Sequence, residues 1–303
     1  LIAPAPKVGA GTTAPTEDKL LPNREFHFTA ADFERVRKLI YQHAGISLAP
    51  VKQDMVYSRL ARRLRALGLK TFDAYLAKLE SSGSEAEWET FINSLTTNLT
   101  SFFRESHHFD ILKRQLTGLS HRPIRIWCSA ASTGEEPYTL AISACEAFDS
   151  LIPPVQILAS DIDTNVLKTA ERGVYPTERV ERLAPDRLRR FFLKGTGTQE
   201  GQVRVRPELQ KLITYARVNL LDASWPNVKG PFDAMFCRNV MIYFDKPTQY
   251  QILKKFVPLL QPDGLLYAGH SESFMHASDL FRSLGRTVYE RADGGGTRRR
   301  LSL

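Results

Sequence analysis

Residues 124–140 read I-R-I-W-C-S-A-A-S-T-G-E-E-P-Y-T-L: an apolar run stops abruptly in small residues and one glycine, then two glutamates, a proline and a helical pattern follow. A parallel strand that feeds a ligand-holding loop and the first turn of a helix has this form. Pro137 suits an early helical position, where its missing N–H would have no partner anyway. A phosphate cradle wants glycines and a lysine in such a loop. Glu135 and Glu136 would repel phosphate and pair instead with a ligand that carries an amine. S-adenosylmethionine, with its amino group and sulfonium, suits this loop better than a nucleotide phosphate does.

The next strand-like run, residues 155–160, ends in Asp161-Ile162-Asp163. In open α/β sheets ligands lie beyond the carboxyl ends of the strands, and an acid closing the second strand accepts hydrogen bonds from ribose hydroxyls. Glu135 is therefore expected near the methionyl end of the ligand and Asp161 at its ribose. Asp163 is expected to be a helix cap.

Helical patterns at 164–172 and 185–193 flank an irregular segment. A turn-rich loop at 195–201 and the alternating run Gln202-Val203-Arg204-Val205-Arg206 then point to an inserted β-element. Strand-like runs at 213–220, 232–237, 264–268 and 287–291, with a helix over 246–260, complete an α/β fold: a doubly wound, mostly parallel sheet. Upstream, four helical patterns form a separate all-α domain, with Thr29, Thr71 and Ser84 as caps and Gly45 and Gly68 as stops. The expected division is a flexible tail at 1–23, the helical domain at 24–95 and a linker at 96–108. The α/β domain follows at 109–292, with its β-subdomain at about 185–212, and a flexible basic tail at 293–303.

The formal net charge of +8 is unevenly spread. Residues 24–80 carry 11 Lys and Arg against 6 Asp and Glu, and Arg298, Arg299 and Arg300 make the C-terminal tail basic. The long α/β stretch is near neutral, so an acidic partner is expected to meet the helical domain. In its second helix Arg59, Arg62 and Arg63 share a side, which Lys52 extends. No run approaches the ~20 apolar residues of a membrane span, and residues 1–22 lack a secretory apolar core. Cys128, Cys145 and Cys237 have no C-x-x-C partner and are expected as buried free thiols in a reducing cytoplasm. No metal site is expected.

Five segments, T-T-N-L-T-S-F-F-R-E, S-A-A-S-T-G-E-E-P-Y, A-S-D-I-D, F-C-R-N-V-M-I-Y-F and A-G-H-S-E, together resemble the CheR family of chemotaxis receptor methyltransferases over about residues 26–291. The resemblance implies S-adenosylmethionine-dependent methylation of glutamate side chains on cytoplasmic chemoreceptor helices. Carried over by position, it implies a cofactor site of Asn98, Thr100, Arg104, Glu135, Asp161, Asn219, Leu220, Arg238 and Asn239. Arg104 and Tyr243 would be the catalytic residues, Tyr243 near the transferring methyl. The basic helix would dock on acidic receptor helices. As in some relatives, the β-element would take a receptor C-terminal peptide as an added strand, lined by Lys194, Gly195, Gly197, Arg204 and Arg206. A glutamate carboxylate, with an ordinary pKa of about 4.3, needs no general base to attack a sulfonium methyl. No Ser-His-Asp or Cys-His arrangement is therefore expected.

Two other readings compete. A nucleic-acid methyltransferase would grip phosphates with the basic helices. Against it, Arg238-Asn239-Val240-Met241 lacks the prolines with which amino-methylating nucleic-acid enzymes receive a flipped base, and the α/β part lacks a basic footprint. A non-catalytic receptor-binding or cofactor-sensing module is disfavoured by the intact acids together with Arg104 and Tyr243.

Overall fold

Four helices come first in the computed structural model, which describes residues 24–294: α1 (Ala30–Ala44), α2 (Gln53–Leu67), α3 (Phe72–Glu80) and α4 (Glu85–Leu95). The expected tail at 1–23, and residues 295–303 with Arg298, Arg299 and Arg300, lie outside the described residues. Thr29 and Asp32 form a reciprocal capping box on α1, a cap worth about 1 kcal/mol. Gly45 ends α1 at φ 66, and a Cβ there would press into Leu221, 2.8 Å from its Cδ1. Ser84 stands at the start of α4 without capping it, since its hydroxyl donates to the carbonyls of Leu79 and Ser81 instead. Val36, Ile40, Val56, Leu60, Leu64, Tyr75, Leu76, Leu79 and Phe91 are completely buried in one helical core.

The second part begins with α5 (His107–Gly118), β1 (Ile124–Cys128), α6 (Glu135–Ala147), β2 (Val155–Asp161) and α7 (Thr164–Arg172). Then come β3 (Val174–Pro176), α8 (Pro185–Phe191), β4 (Phe192–Lys194), β5 (Gln202–Val205), α9 (Pro207–Gln210) and β6 (Ile213–Arg217). The chain finishes with β7 (Phe232–Cys237), α10 (Lys246–Phe256), β8 (Leu260–Ala268), β9 (Phe281–Gly285) and β10 (Val288–Arg291). The main sheet runs β6-β2-β1-β7-β8-β10-β9, parallel from β6 to β8, with β10 antiparallel to both neighbours. Strand order reverses between β1 and β7, which opens a crevice at their carboxyl ends.

Side chains alternate across this sheet. Ile124, Ile126 and Cys128 of β1 enter one core with Ala234 and Phe236 of β7, while Trp127 enters the other with Met235 and Cys237. Both faces are covered, so these strands read as continuous apolar runs. Trp127 is fully buried and donates to Ser160 Oγ at 2.9 Å. Trp127→Ala would cost roughly 3–5 kcal/mol. All three cysteines are buried and free.

Several boundaries differ from expectation. β3, β5 and β4 form a separate antiparallel sheet, and β3 comes from the segment read as irregular. Three residues ending in proline carry too little periodicity to signal a strand. Leu193, expected at a helix end, belongs to β4. The helix expected over 246–260 stops at Phe256, tightens into the turn Val257–Leu259 around Pro258, and gives way to β8 at Leu260. β6 ends at Arg217, so residues 218–220 cross the strand ends instead of extending it. β9 was not anticipated: it is an edge strand in which only Phe281 is buried. No helix among the described residues is long and apolar enough to cross a membrane.

Candidate functional site

At the crevice lies a cavity of about 410 Å³, a size that suits a small organic ligand. The loop after β1 contributes Ser129, Ala130 and Ser132, α6 contributes Glu136, and β2 contributes Asp161. The turns after β6 and β7 bring Asn219, Leu220, Arg238, Asn239, Ile242 and Tyr243. Residues 95–100 and Arg104 make another wall, and the end of α1 with Lys52 and Met55 closes the cavity from the helical domain. Of the residues that the family resemblance implies, Asn98, Thr100, Arg104, Asp161, Asn219, Leu220, Arg238, Asn239 and Tyr243 line this one cavity. Glu135 does not.

The two adjacent glutamates divide the work. Glu135 is only 1% exposed and turned away from the cavity: Thr133 Oγ1 donates to it at 2.6 Å and Arg179 reaches it at 3.4 Å. Glu136 lines the cavity, accepting from Arg238 at 2.5 Å and from Cys128 Sγ at 3.3 Å. The cavity acid after β1 is therefore Glu136, and this corrects the placement of Glu135 at the ligand. Consecutive helical residues point about 100° apart, and α6 is rotated so that Glu136 is the one that faces the crevice.

Asp161 closes β2 as anticipated, and its oxygens accept the N–H groups of Ser132 at 2.8 Å and Asp163 at 3.0 Å. Burial raises its pKa to about 6 even against those donors. The carboxylate still has acceptor capacity for a further donor, which is what a ribose diol offers. Asp163 caps α7 through Asn165 and Val166 and also accepts from Asn98 Nδ2 at 3.0 Å, which sets the wall at 98.

The amides differ from expectation. Asn219 Nδ2 donates to His43 O at 2.9 Å and its Oδ1 accepts from Leu221 N at 3.0 Å, so this side chain ties α1 to the turn. Asn239 has left-handed backbone, φ 58, and directs Nδ2 at Glu105 Oε1, 3.4 Å away. Buried Arg238 joins Glu136 to Glu105, and also donates to the carbonyl of Arg104. Burial works against ionisation of Glu105, yet Arg238 and donors from His270, Arg238 and Asn239 hold its pKa at about 2. Glu105 and Glu272, absent from the expected site, pack just behind this wall.

Arg104 is one-third exposed, with Nη1 donating to Leu99 O at 2.9 Å. Its other donors can orient a carboxylate. Leu99 and Ile242 line the cavity yet are 78% and 52% exposed, so they stand at its open rim. Ser271 Oγ lies 3.2 Å from His270 Nε2, whose Nδ1 is 3.2 Å from Glu105. This exposed line does not make a hydrolytic triad: the N–H groups of Gly269 and His270 already donate to Glu272 and Glu105, leaving neither for an oxyanion.

The expected docking residues separate into two kinds. Arg59 donates to Thr96 O at 2.6 Å and Ser94 O at 3.3 Å, and Arg63 pairs with buried Glu87. Both serve the helical core's edge instead of a free cationic face. Arg62 and Lys52 are exposed, and Lys52 is at the cavity. In the small sheet β4 pairs only with β5, leaving its other edge open among the described residues. Lys194 and Arg204 are exposed there, and Gly197 has φ 59. A Cβ on Gly195 would overlap the Gln199 carbonyl. Arg206 is half-buried, its Nη2 3.4 Å from Arg189 O.

Two acids, Glu136 and Asp161, and the small residues Ser129, Ala130 and Ser132 line a cavity whose chemistry fits S-adenosylmethionine. The family described as CheR methyltransferase, SAM binding domain, matches residues 98–290, and CheR methyltransferase, all-alpha domain, matches 31–96. The chain is similar to chemotaxis protein methyltransferase 2 of Pseudomonas aeruginosa, 53% identical over 281 residues that cover 91% of this chain and 99% of that one. It is also similar to the chemotaxis protein methyltransferase of Salmonella typhimurium, 55% identical over 259 residues, covering 86% and 89%. This chain belongs to the CheR methyltransferase family and is an S-adenosylmethionine-dependent methyltransferase.

Proposed function

We propose that the chain methylates glutamate side chains on the cytoplasmic helices of chemoreceptors, in the cytoplasm and without a metal, forming methyl esters. The observation that carries this reading is the cavity's polarity: Asp161 and Glu136 lie within it, and exposed Lys52, Leu99 and Ile242 stand with Arg104 and Tyr243 around it. Bound S-adenosylmethionine would supply an electrophilic methyl. Glu136 and Asp161 would hold the amine and ribose, with Asn98, Thr100, Leu220, Arg238 and Asn239 completing the walls. Arg104 would orient the incoming carboxylate by paired N–H donors, and Tyr243 would position the reacting oxygen. Because the carboxylate is already ionised, alignment and exclusion of water are the chief requirements. Leu99 and Ile242 serve the latter by covering the apolar flank of a substrate helix.

Lys52 and Arg62 would meet the acidic residues of that helix. The open edge of β4, with Lys194, Gly195, Gly197, Arg204 and Arg206 around it, suits strand addition by a receptor C-terminal peptide. Transfer of radiolabelled methyl groups to receptor-containing membranes tests the reaction. Label that is released by mild base is expected, since methyl esters hydrolyse and N-methyl groups do not. Unlabelled receptors, or base-stable label on nucleic acid, would overturn it.

A further inference from the structure

Two glutamates in the family-like segments, Glu105 and Glu272, pack behind the cavity wall without lining the cavity. We infer that they are positioning residues for methyl transfer, which together hold Asn239 and the turn that carries Tyr243 against the cavity.

Glu272 is 5% exposed and gathers backbone donors from two strand ends. Its Oε1 accepts from Val240 N at 3.0 Å and Met241 N at 2.8 Å; its Oε2 accepts from Asn239 N at 2.9 Å and from Gly269 N. Three consecutive N–H groups after β7 therefore converge on one carboxylate, and the last opens the tight turn Met241–Tyr243. Glu105 acts on the same residue from the other side, taking Asn239 Nδ2 on Oε1 and lying 3.3 Å from Arg238 Nη2 with Oε2. Asn239 has a left-handed backbone, which Asn tolerates better than other residues with a Cβ, and the two carboxylates hold it in that conformation from both sides. Gly269 completes the enforcement: a Cβ there would clash with the Asn239 amide and stand 2.9 Å from Asn239 N and from Glu272 Oε2.

A glutamine at 272 would replace one acceptor oxygen by an NH2 group that faces backbone donors, freeing at least one N–H of the turn. Tyr243 would then lose its fixed distance from the reacting atoms, whereas Asp161 and its partners would be untouched. The consequence is a split between turnover and cofactor affinity. This rests on the cavity's being the methyl-transfer site.

Full-length Glu272→Gln, Glu105→Gln and Gly269→Ala should be compared with wild type in turnover at saturating substrates, S-adenosylhomocysteine affinity and melting temperature. Turnover is expected to fall roughly tenfold or more in each, and affinity by a clearly smaller factor, because Asn239 is only one of several wall residues and Asp161 keeps its place. Gly269→Ala displaces Asn239 without removing a carboxylate, so it decides the matter if Glu272→Gln does not fold. Folded variants that only melt earlier and keep wild-type turnover would overturn the inference. So would affinity that falls in step with turnover, because the wall would then be collapsing as a whole. A wild-type protein inactive on receptors would instead refute the proposed function.

Discussion

An aspartate buried without a cation titrates late, and Asp161 is such a group, lifted to about 6 by burial. Ribose hydroxyls donate to its ionised form, so S-adenosylhomocysteine should lower the pKa on binding. Near pH 6 the free site is partly protonated and the bound site ionised, hence a proton is released. Affinity should rise as pH climbs through about 6 and then level off. Calorimetry in buffers of different ionisation enthalpy reads that proton; no release near pH 6 and a flat affinity profile would remove Asp161 from the ribose. Glu136→Gln should weaken the same binding by about tenfold, the value of one charge-assisted hydrogen bond. Glu135→Gln should leave affinity within about threefold. Equal losses in both would restore Glu135 to the ligand. The acid pair was legible in the sequence, but which member faces the crevice depends on how α6 is rotated on the sheet. Asn219 shows the same limit: its amide is consumed by His43, a neighbour 176 positions away.

Elements with strong local signals were legible, and those defined by distant partners were not. Thr29, Gly45, Gly68 and Thr71 mark α1 to α3 by caps that need no tertiary context. β3 and β9 exist only because another strand pairs with them, and neither shows enough alternation to be seen alone. On α2 the arginines repeat at helical spacing, yet spacing cannot tell a free cation from one that neutralises a buried acid. Arg63→Glu should therefore destabilise the protein by roughly 1.5–3 kcal/mol, because Glu87 would lose its charged partner and meet a like charge. Arg62→Glu should change stability by less than about 0.5 kcal/mol. It should instead slow encounter with the receptor at low salt, a defect that shrinks as salt screens the native pairing. Thermal melts beside salt-dependent methylation rates separate the two; matching phenotypes would mean that both residues serve one role. At the small sheet, Arg204→Ala should abolish binding of receptor C-terminal peptides in calorimetry and spare methylation of an untethered fragment, since a tether raises effective concentration only. Failure of any such peptide to bind wild type at high micromolar concentration would leave the sheet a purely structural insertion.

At the scale of the molecule, the two parts that composition and charge separate share one cavity. The end of α1 rests on the α/β part through Ser47 N to Tyr243 O at 2.9 Å, Tyr41 hydroxyl to Asp245 at 2.6 Å, and Leu221 beneath Gly45. The charge of the helical part points to receptor docking, whereas the role of residues 44–49 in walling the cavity is invisible in sequence, because the contacts that seat them span about two hundred positions. A ligand that touches both parts stabilises both. At a hundredfold excess over its dissociation constant, S-adenosylhomocysteine should add about 2.7 kcal/mol to the stability of every region whose opening exposes the site. Hydrogen exchange should therefore slow at the amides of residues 44–49 and 95–100 as well as at 129–136, 161 and 238–243. Protection confined to the strand ends would mean that the helical part opens independently of the cofactor. Protection that reaches α1 would mean that cofactor occupancy also sets the orientation of the exposed Lys52 and Arg62, and so prepares the surface that meets the receptor.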